Sequence, residues 1–206
     1  MSHADRLKWD ERYRAGSYAA RPHPTQLLAD RLADLPRGRA LDVACGAGRN
    51  ALFLAAAGYE VDAVDLSSVG LERGARTAAE RGLAINWIEA DLDPPSPEAL
   101  PKNDYALIVL VRYVNMALIP LLAERLADRG CLVCEQHLKT ARDVAGPRNP
   151  AYRLEPNELQ AAASNLSVMF YREGIVQDPD GRQVALAQLI ACRGAARSEL
   201  DDDETR

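Results

Sequence analysis

"ALDVACGAGRNALFLAAAGYEVDAVD", residues 40–65, decides the fold. It runs as an apolar strand, a glycine turn, a helix and a second apolar strand, with Asp42 and Asp65 near the two strand ends. Gly58 stops the helix, as glycine commonly does just past a helix end. Two strands joined through a helix pair in parallel by a right-handed crossover. Ligands of such sheets lie outside the carboxyl ends of the strands, against the N-terminus of the following helix. The unit therefore suits a nucleotide-like molecule.

The pattern continues in both directions. Residues 5–14 read as an amphipathic helix with Leu7, Trp9 and Tyr13 among charges, and a second helix runs from about Thr25 to Leu35. Ser67 or Ser68 caps a helix running to about Arg81, and "LAINWIEAD" is a third strand. "DYALIVLVR" is an almost continuous apolar run of the kind buried on both sheet faces. "IPLLAERLADRG" reads as a helix ending at Gly130, and "CLVCEQHL" as strand five. A long irregular segment follows, of the sort that often serves as a lid, then a helix over "PNELQAAASN". "DPDG" between two strand-like runs is a hairpin signal, so the last two strands should be antiparallel neighbours. The expected fold is a Rossmann-like α/β architecture. It has a seven-stranded, mostly parallel sheet with an antiparallel C-terminal strand and helices on both faces. A helical cap over residues 1–36, a main domain over 37–194 and a disordered acidic tail over 195–206 complete the expected organisation.

Composition narrows the function classes. A net charge of −5 argues against a broad nucleic-acid-binding face, and no apolar run is long enough to span a bilayer. The polar opening "MSHADRLKWDERYRAG" lacks the apolar core of a signal peptide, so a cytoplasmic location is expected. The four cysteines are Cys45, Cys131, Cys134 and Cys192. Cys131 and Cys134 lie three apart on a strand and so face opposite ways, which opposes joint metal binding; buried free thiols are expected. No metal site is expected.

Gly46, Gly48 and Ala51 satisfy the dinucleotide fingerprint, with Asp65 about twenty residues on as a ribose-binding acid. Three features oppose a dinucleotide. A carboxylate at Asp42 would repel a pyrophosphate and suits a ligand with a positive centre. Little chain remains for a separate substrate domain. Asp91 closes strand three, where it can accept a bond from an adenine amino group. Three strand-end acids ring a pocket suited to a cationic adenosine derivative, S-adenosyl-L-methionine. Alternatively, Asp42 is a helix-facing surface acid and Asp91 a loop cap.

On these residues the sequence resembles a class I S-adenosylmethionine-dependent methyltransferase. "LDVACGAGRNALFLAAAGYEVDAVDLS" is similar to the glycine motif and second strand of the tellurite-resistance-type methyltransferases. "WDERY", "VRYVN" and "RNPAYRLEPNEL" resemble further segments of relatives. Ala44 stands where that family usually has glycine. The resemblance implies a cofactor site of Asp42, Ala44, Gly46, Gly48, Asn50, Asp65, Leu66, Asp91, Leu92 and Val111, with Arg12 near the cofactor carboxylate.

The acceptor side is expected at Arg112, Tyr113 and His137. Arg112 either attracts an anionic acceptor or is a helix-capping or surface arginine. His137 is either a base or a shape-filling ring. Glu135 lines the pocket or bonds the lid. Arg148, Tyr152 and Arg153 close over the acceptor or serve as surface loop. Trp9, Arg12 and Tyr13 form a flap, pack on the core, or do both. "LVRYVN" lacks the Asn/Asp-Pro-Pro-Tyr motif of enzymes that methylate planar amino groups, which argues against nucleic-acid bases. The expected activity is methyl transfer to a small molecule, a thiol or chalcogen oxyanion in particular, by a monomer or homodimer without nucleic-acid or membrane partners. The other readings are an NAD-linked oxidoreductase and a non-catalytic S-adenosylmethionine-binding regulatory protein.

Overall fold

The computed structural model describes residues 3–16 and 22–194, so the expected acidic tail lies outside the described residues. Seven strands form one sheet: β1 (Arg39–Val43), β2 (Glu60–Asp65), β3 (Ile85–Glu89), β4 (Tyr105–Val111), β5 (Leu126–His137), β6 (Ser167–Gln177) and β7 (Gln183–Cys192). Their order is β3-β2-β1-β4-β5-β7-β6. β1 to β5 pair in parallel, and β7 runs antiparallel to both of its neighbours. The helices are α1 (His3–Arg14), α2 (Gln26–Arg31), α3 (Arg49–Ala56), α4 (Ser68–Glu80), α5 (Leu118–Glu124) and α6 (Glu158–Ala162).

The apolar run of β4 explains the layering. Leu107 and Val109 enter one buried cluster with Leu54 and Val61, while Ile108 and Leu110 enter the other with Leu41 and Leu122. Alternating side chains thus feed a core on each face of the sheet, and every one of these residues is buried. Leu7, expected on the apolar stripe of α1, is instead exposed. α1 meets α4 and β3 through polar contacts: the hydroxyl of Ser67, which caps α4, donates to Asp10 (2.5 Å), and Arg6 pairs with Glu89 at the end of β3 (2.7 Å).

Some expectations are corrected. The second helix is shorter than Thr25–Leu35, because its last turn tightens into a 3₁₀ turn over Leu32–Asp34. α6 covers only the middle of "PNELQAAASN". The helix expected to end at Gly130 ends at Glu124, and the chain enters β5 at once. Tyr105 N donates to Arg125 O (2.8 Å), which draws residues 126–130 beside β4 through an irregular register. Arg129 adopts φ +60, and a Cβ on Gly130 would stand 2.5 Å from Tyr105 O, so glycine permits the close approach.

Cys131 and Cys134 do face opposite sides of the sheet, each in a different core cluster. The expectation of free thiols throughout is overturned. Cys131 and Cys192 are direct cross-strand partners on β5 and β7 and form a disulfide, leaving Cys45 and Cys134 free. No helix among the described residues is long and apolar enough to cross a membrane.

Candidate active site

The carboxyl ends of β1 and β2 carry the glycine turn. Ala44, Gly46 and Gly48 adopt φ +54, +59 and +74, so the chain winds through left-handed conformations before α3 begins at Arg49. Glycine accepts that geometry freely, whereas Ala44 is strained there. The turn closes through Gly48 N to Cys45 O (2.9 Å) and Cys45 N to Val64 O (3.0 Å).

Two carboxylates brace it. Asp42 accepts from Ala51 N (2.9 Å), satisfying an otherwise free donor in the first turn of α3. Asp42 is buried, with one carboxylate oxygen turned to the helix. Burial pushes its carboxyl up to about 7 despite the Ala51 bond and nearby Arg49. Asp65 accepts from Gly46 N (2.7 Å) and Ser67 N (2.8 Å). Burial raises its pKa too, against those backbone donors. A carboxylate offers about four acceptor positions, so Asp65 keeps capacity for further donors. Burial also raises the Cys45 thiol, and Asp42 and Asp65 add to that effect.

Tyr13 covers the turn. A Cβ on Gly46 would lie 2.1 Å from its hydroxyl oxygen, and one on Gly70 would lie 3.1 Å from its ring. α1 is therefore a flap over the glycine turn as well as a packing element. Arg12 is exposed, with its guanidinium 4.8 Å from the centre of the Trp9 ring. Trp87 fills the space behind the turn, where Cβ atoms on Gly48 and Gly74 would clash with its indole at 2.4 and 2.5 Å.

Asn50 joins two segments of the chain. Its side-chain oxygen accepts from Thr25 N (2.9 Å), and Arg49 reaches Thr25 Oγ1 (3.2 Å) and His23 O (3.3 Å). The pair ties the segment before α2 to the start of α3. The sequence gives no local signal for this, since the partners lie about 25 residues apart.

Asp91, Leu92 and Tyr113 gather on the other flank. Asp93 N donates to Asp91 (2.9 Å), and Asn115 donates to Leu92 O (3.4 Å). Leu66 and Leu92 are buried. Burial pushes the Tyr113 hydroxyl up to about 12; Asn115 opposes this, while Asp93, Asp91 and Asp65 add to it. Tyr113 thus stands among the acids at the ends of β2 and β3.

Val111 ends β4, and Arg112 follows in a left-handed conformation at φ +58, its N bonded to Glu135 O (2.8 Å). The Arg112 guanidinium reaches Asp178 (2.5 and 2.9 Å) and Glu135 (3.1 and 3.3 Å). Gln188 donates to the other Glu135 oxygen (2.7 Å). The charge of Arg112 is thereby matched inside the protein, and Glu135 serves this network. Asp178, which the sequence marked only as a turn residue, is its second anchor. His137 is buried at the end of β5. Burial, then Arg112 and Arg153, hold its pKa down to about 4.

Beyond His137, residues 139–156 line a concavity of about 970 Å³, with Arg142, Arg148 and Arg153 among its walls. Arg148 and Tyr152 are exposed. Arg153 is half-buried and bonds Pro147 O (2.9 Å) and Leu138 O (3.0 Å). A second cavity of about 550 Å³ lies at the opposite, amino end of β1 to β3 beside Asp62 and Trp87, away from this chemistry.

The residues fit an adenosine-bearing ligand. Gly46 leaves a space against the turn that the Tyr13 hydroxyl takes in this structure, and acids stand at the ends of β2 and β3. Residues 40–129 match the family described as "Methyltransferase domain". Ribosomal RNA small subunit methyltransferase B of Thermus thermophilus is 42% identical over 81 residues, which span 39% of this chain and 20% of that protein. TehB from Haemophilus influenzae superimposes with a TM-score of 0.70 at 22% identity, covering 89% of this chain and 67% of that one. Magnesium protoporphyrin IX methyltransferase from Synechocystis, solved with bound S-adenosylmethionine, gives 0.57 at 20% identity, covering 81% and 76%. These structural likenesses establish the fold.

Proposed function

We infer, from the premise that residues 40–129 form a class I, S-adenosylmethionine-dependent methyltransferase domain, that this chain methylates a small molecule whose acceptor atom is soft or already anionic. When bound, S-adenosylmethionine supplies a methyl group on a cationic sulfur. Gly46 lets the backbone approach the ligand closely. Asp65 and Asp91 receive donors of the nucleoside, with Leu66 and Leu92 as apolar walls. Gly48, Val111 and the backbone at Ala44 shape the remaining path. Asp42 and Asn50 act indirectly, by bracing the turn and the segment before α2. Tyr13 shields the site from water, as methyl transfer between aligned groups requires.

One observation carries the choice of acceptor: among the described residues expected on the acceptor side none is poised as a general base near neutral pH, and Asp42, whose carboxyl is raised to about 7, is turned to the backbone of α3. Tyr113 is pushed up to about 12, His137 down to about 4, and Arg112 is held by two carboxylates. A neutral amine or alcohol would have no efficient proton acceptor. A thiolate, a carboxylate or a chalcogen oxyanion needs none. His137 then acts as a shaping ring and Arg112 as a positioning residue. The named activity of the Thermus thermophilus relative is on ribosomal RNA, but the net charge of −5 disfavours that acceptor here.

The test is turnover with methyl-labelled S-adenosylmethionine over thiols, oxyanions, small carboxylic acids and phenols, with ribosomal RNA as a further arm. Label transfer to a thiol, oxyanion or carboxylate is expected. Transfer to RNA alone would overturn the reading, and binding without any turnover would favour a regulatory protein.

A further inference from the structure

A carboxylate docks α1. Of residues 5–14, Asp10 is buried and the others are half-buried or exposed, Leu7 among the exposed. A surface helix usually docks through an apolar stripe, but here the deepest side chain is charged. The Asp10 carboxylate accepts from the Ser67 hydroxyl (2.5 Å), and Arg14 one turn on stands 4.0 Å away. Burying a carboxylate is costly unless it is bonded, so the seat of α1 depends on Ser67.

Ser67 is the hub. It is fully buried, and its hydroxyl oxygen also accepts from Gly70 N (3.1 Å), capping α4. A hydroxyl has one proton to give. Asp10 takes it, which leaves the lone pairs of the oxygen to Gly70. Ser67 N donates to one Asp65 oxygen (2.8 Å), and Gly46 N donates to the other (2.7 Å). A chain of hydrogen bonds therefore runs from Asp10 through Ser67 and Asp65 to Gly46, joining the N-terminal helix to the glycine turn. The two carboxylates also act on each other, since Asp10 adds to the rise in the Asp65 pKa. Asp10 and Tyr13 lie three residues apart, as neighbours on the surface of α1. Tyr13 meets the same region, with its ring beside Gly70 and its hydroxyl beside Gly46. A serine caps a helix without any acid on its hydroxyl. What the acid adds is the link from α1 to the carboxylate that closes β2.

We propose that Asp10 is a positioning residue of the cofactor site. Its bond to Ser67 seats α1, and with it Tyr13, on the glycine turn and fixes the Asp65 carboxylate for the ribose hydroxyls of S-adenosylmethionine. Asp10 acts through Ser67 rather than on the cofactor itself. The inference rests on the reading of Asp65 as an acid that receives donors of the nucleoside.

The test is isothermal titration of the full chain with S-adenosylhomocysteine and with its 2′-deoxyribose analogue. Wild type should bind the ribose compound about tenfold more tightly, the worth of one hydrogen bond to a charged group. Asp65→Ala should bring that ratio to about one. Asp10→Ala and Ser67→Ala should each cut it to about threefold or less, and the double variant should cut it no further. Asp10→Asn keeps an acceptor for the Ser67 hydroxyl and should restore most of the preference. If Asp10→Ala and Ser67→Ala weaken both compounds equally, or leave both unchanged, Asp10 does not position Asp65 and the inference is wrong. The reading of Asp65 then still stands on the loss in Asp65→Ala. If wild type shows no preference for ribose, or Asp65→Ala keeps it, that reading falls and takes the inference with it.

Discussion

Replacing Gly46 with alanine probes the seat of α1 on the glycine turn. The residue lies at φ +59, and its Cβ would stand 2.1 Å from the Tyr13 hydroxyl oxygen and 3.2 Å from the carbon bearing it. The left-handed backbone alone costs alanine about 1–2 kcal/mol. Displacing a packed ring adds about 1–3 kcal/mol, for a total of about 2–5 kcal/mol. Urea unfolding of Gly46→Ala, Tyr13→Phe and the double variant separates the two contributions, because phenylalanine removes the nearer atom and leaves the backbone strain. The Gly46→Ala penalty should shrink by about 1 kcal/mol in the Tyr13→Phe background, within the coupling expected of touching residues. Binding of S-adenosylhomocysteine should be weakened by Gly46→Ala in both backgrounds. Penalties that add to within about 0.3 kcal/mol would show that Tyr13 does not sit on the turn.

Ala44→Gly should do the opposite. It relieves about 1–2 kcal/mol of left-handed strain at φ +54, against about 0.4–1 kcal/mol of extra unfolded-state freedom, and a higher midpoint in denaturant checks it. Asp42→Asn should flatten a pH dependence. The unfolded chain sheds this proton near 3.8 and the folded chain near 7, so wild-type stability falls as pH rises through that window, by about 4 kcal/mol. Urea midpoints measured across the window should therefore rise for the variant relative to wild type. Arg112→Gln leaves Asp178 and Glu135 without their cation and should lower stability by about 3 kcal/mol in chemical denaturation. Thiol titration of the unreduced, denatured chain should count Cys45 and Cys134 alone, and reduction should cost about 4 kcal/mol for a separation of 61 residues.

What the sequence disclosed is local. The β1–turn–α3–β2 unit, the Ser67 cap and the hairpin around Asp178 each rest on neighbours a few residues apart, and each is found in the structure. Long-range partners were hidden. Arg112 meets Asp178 across 66 residues, Cys131 meets Cys192 across 61, and Asn50 reaches back 25 to Thr25. The α5–β5 boundary failed for a related reason: "LADRG" continues the helical pattern locally, but pairing with β4 wins once Tyr105 binds Arg125 O. At the site, Asp65 and Gly46 touch each other as the motif spacing implies. The burial of Asp42 and the network of Arg112, Glu135, Asp178 and Gln188 appear only when the strands are laid side by side.

The most direct measurement is the thermal midpoint of the full chain with S-adenosylmethionine, S-adenosylhomocysteine or NAD. A ligand of the native state at about a hundredfold over its dissociation constant stabilises by about 2.7 kcal/mol. For a chain of this size that is a rise of roughly 5–10 °C. Both adenosyl compounds should produce a rise that grows with concentration, and NAD should produce none. A rise with NAD alone, or no response to millimolar adenosyl compound, would contradict the assignment of the glycine turn.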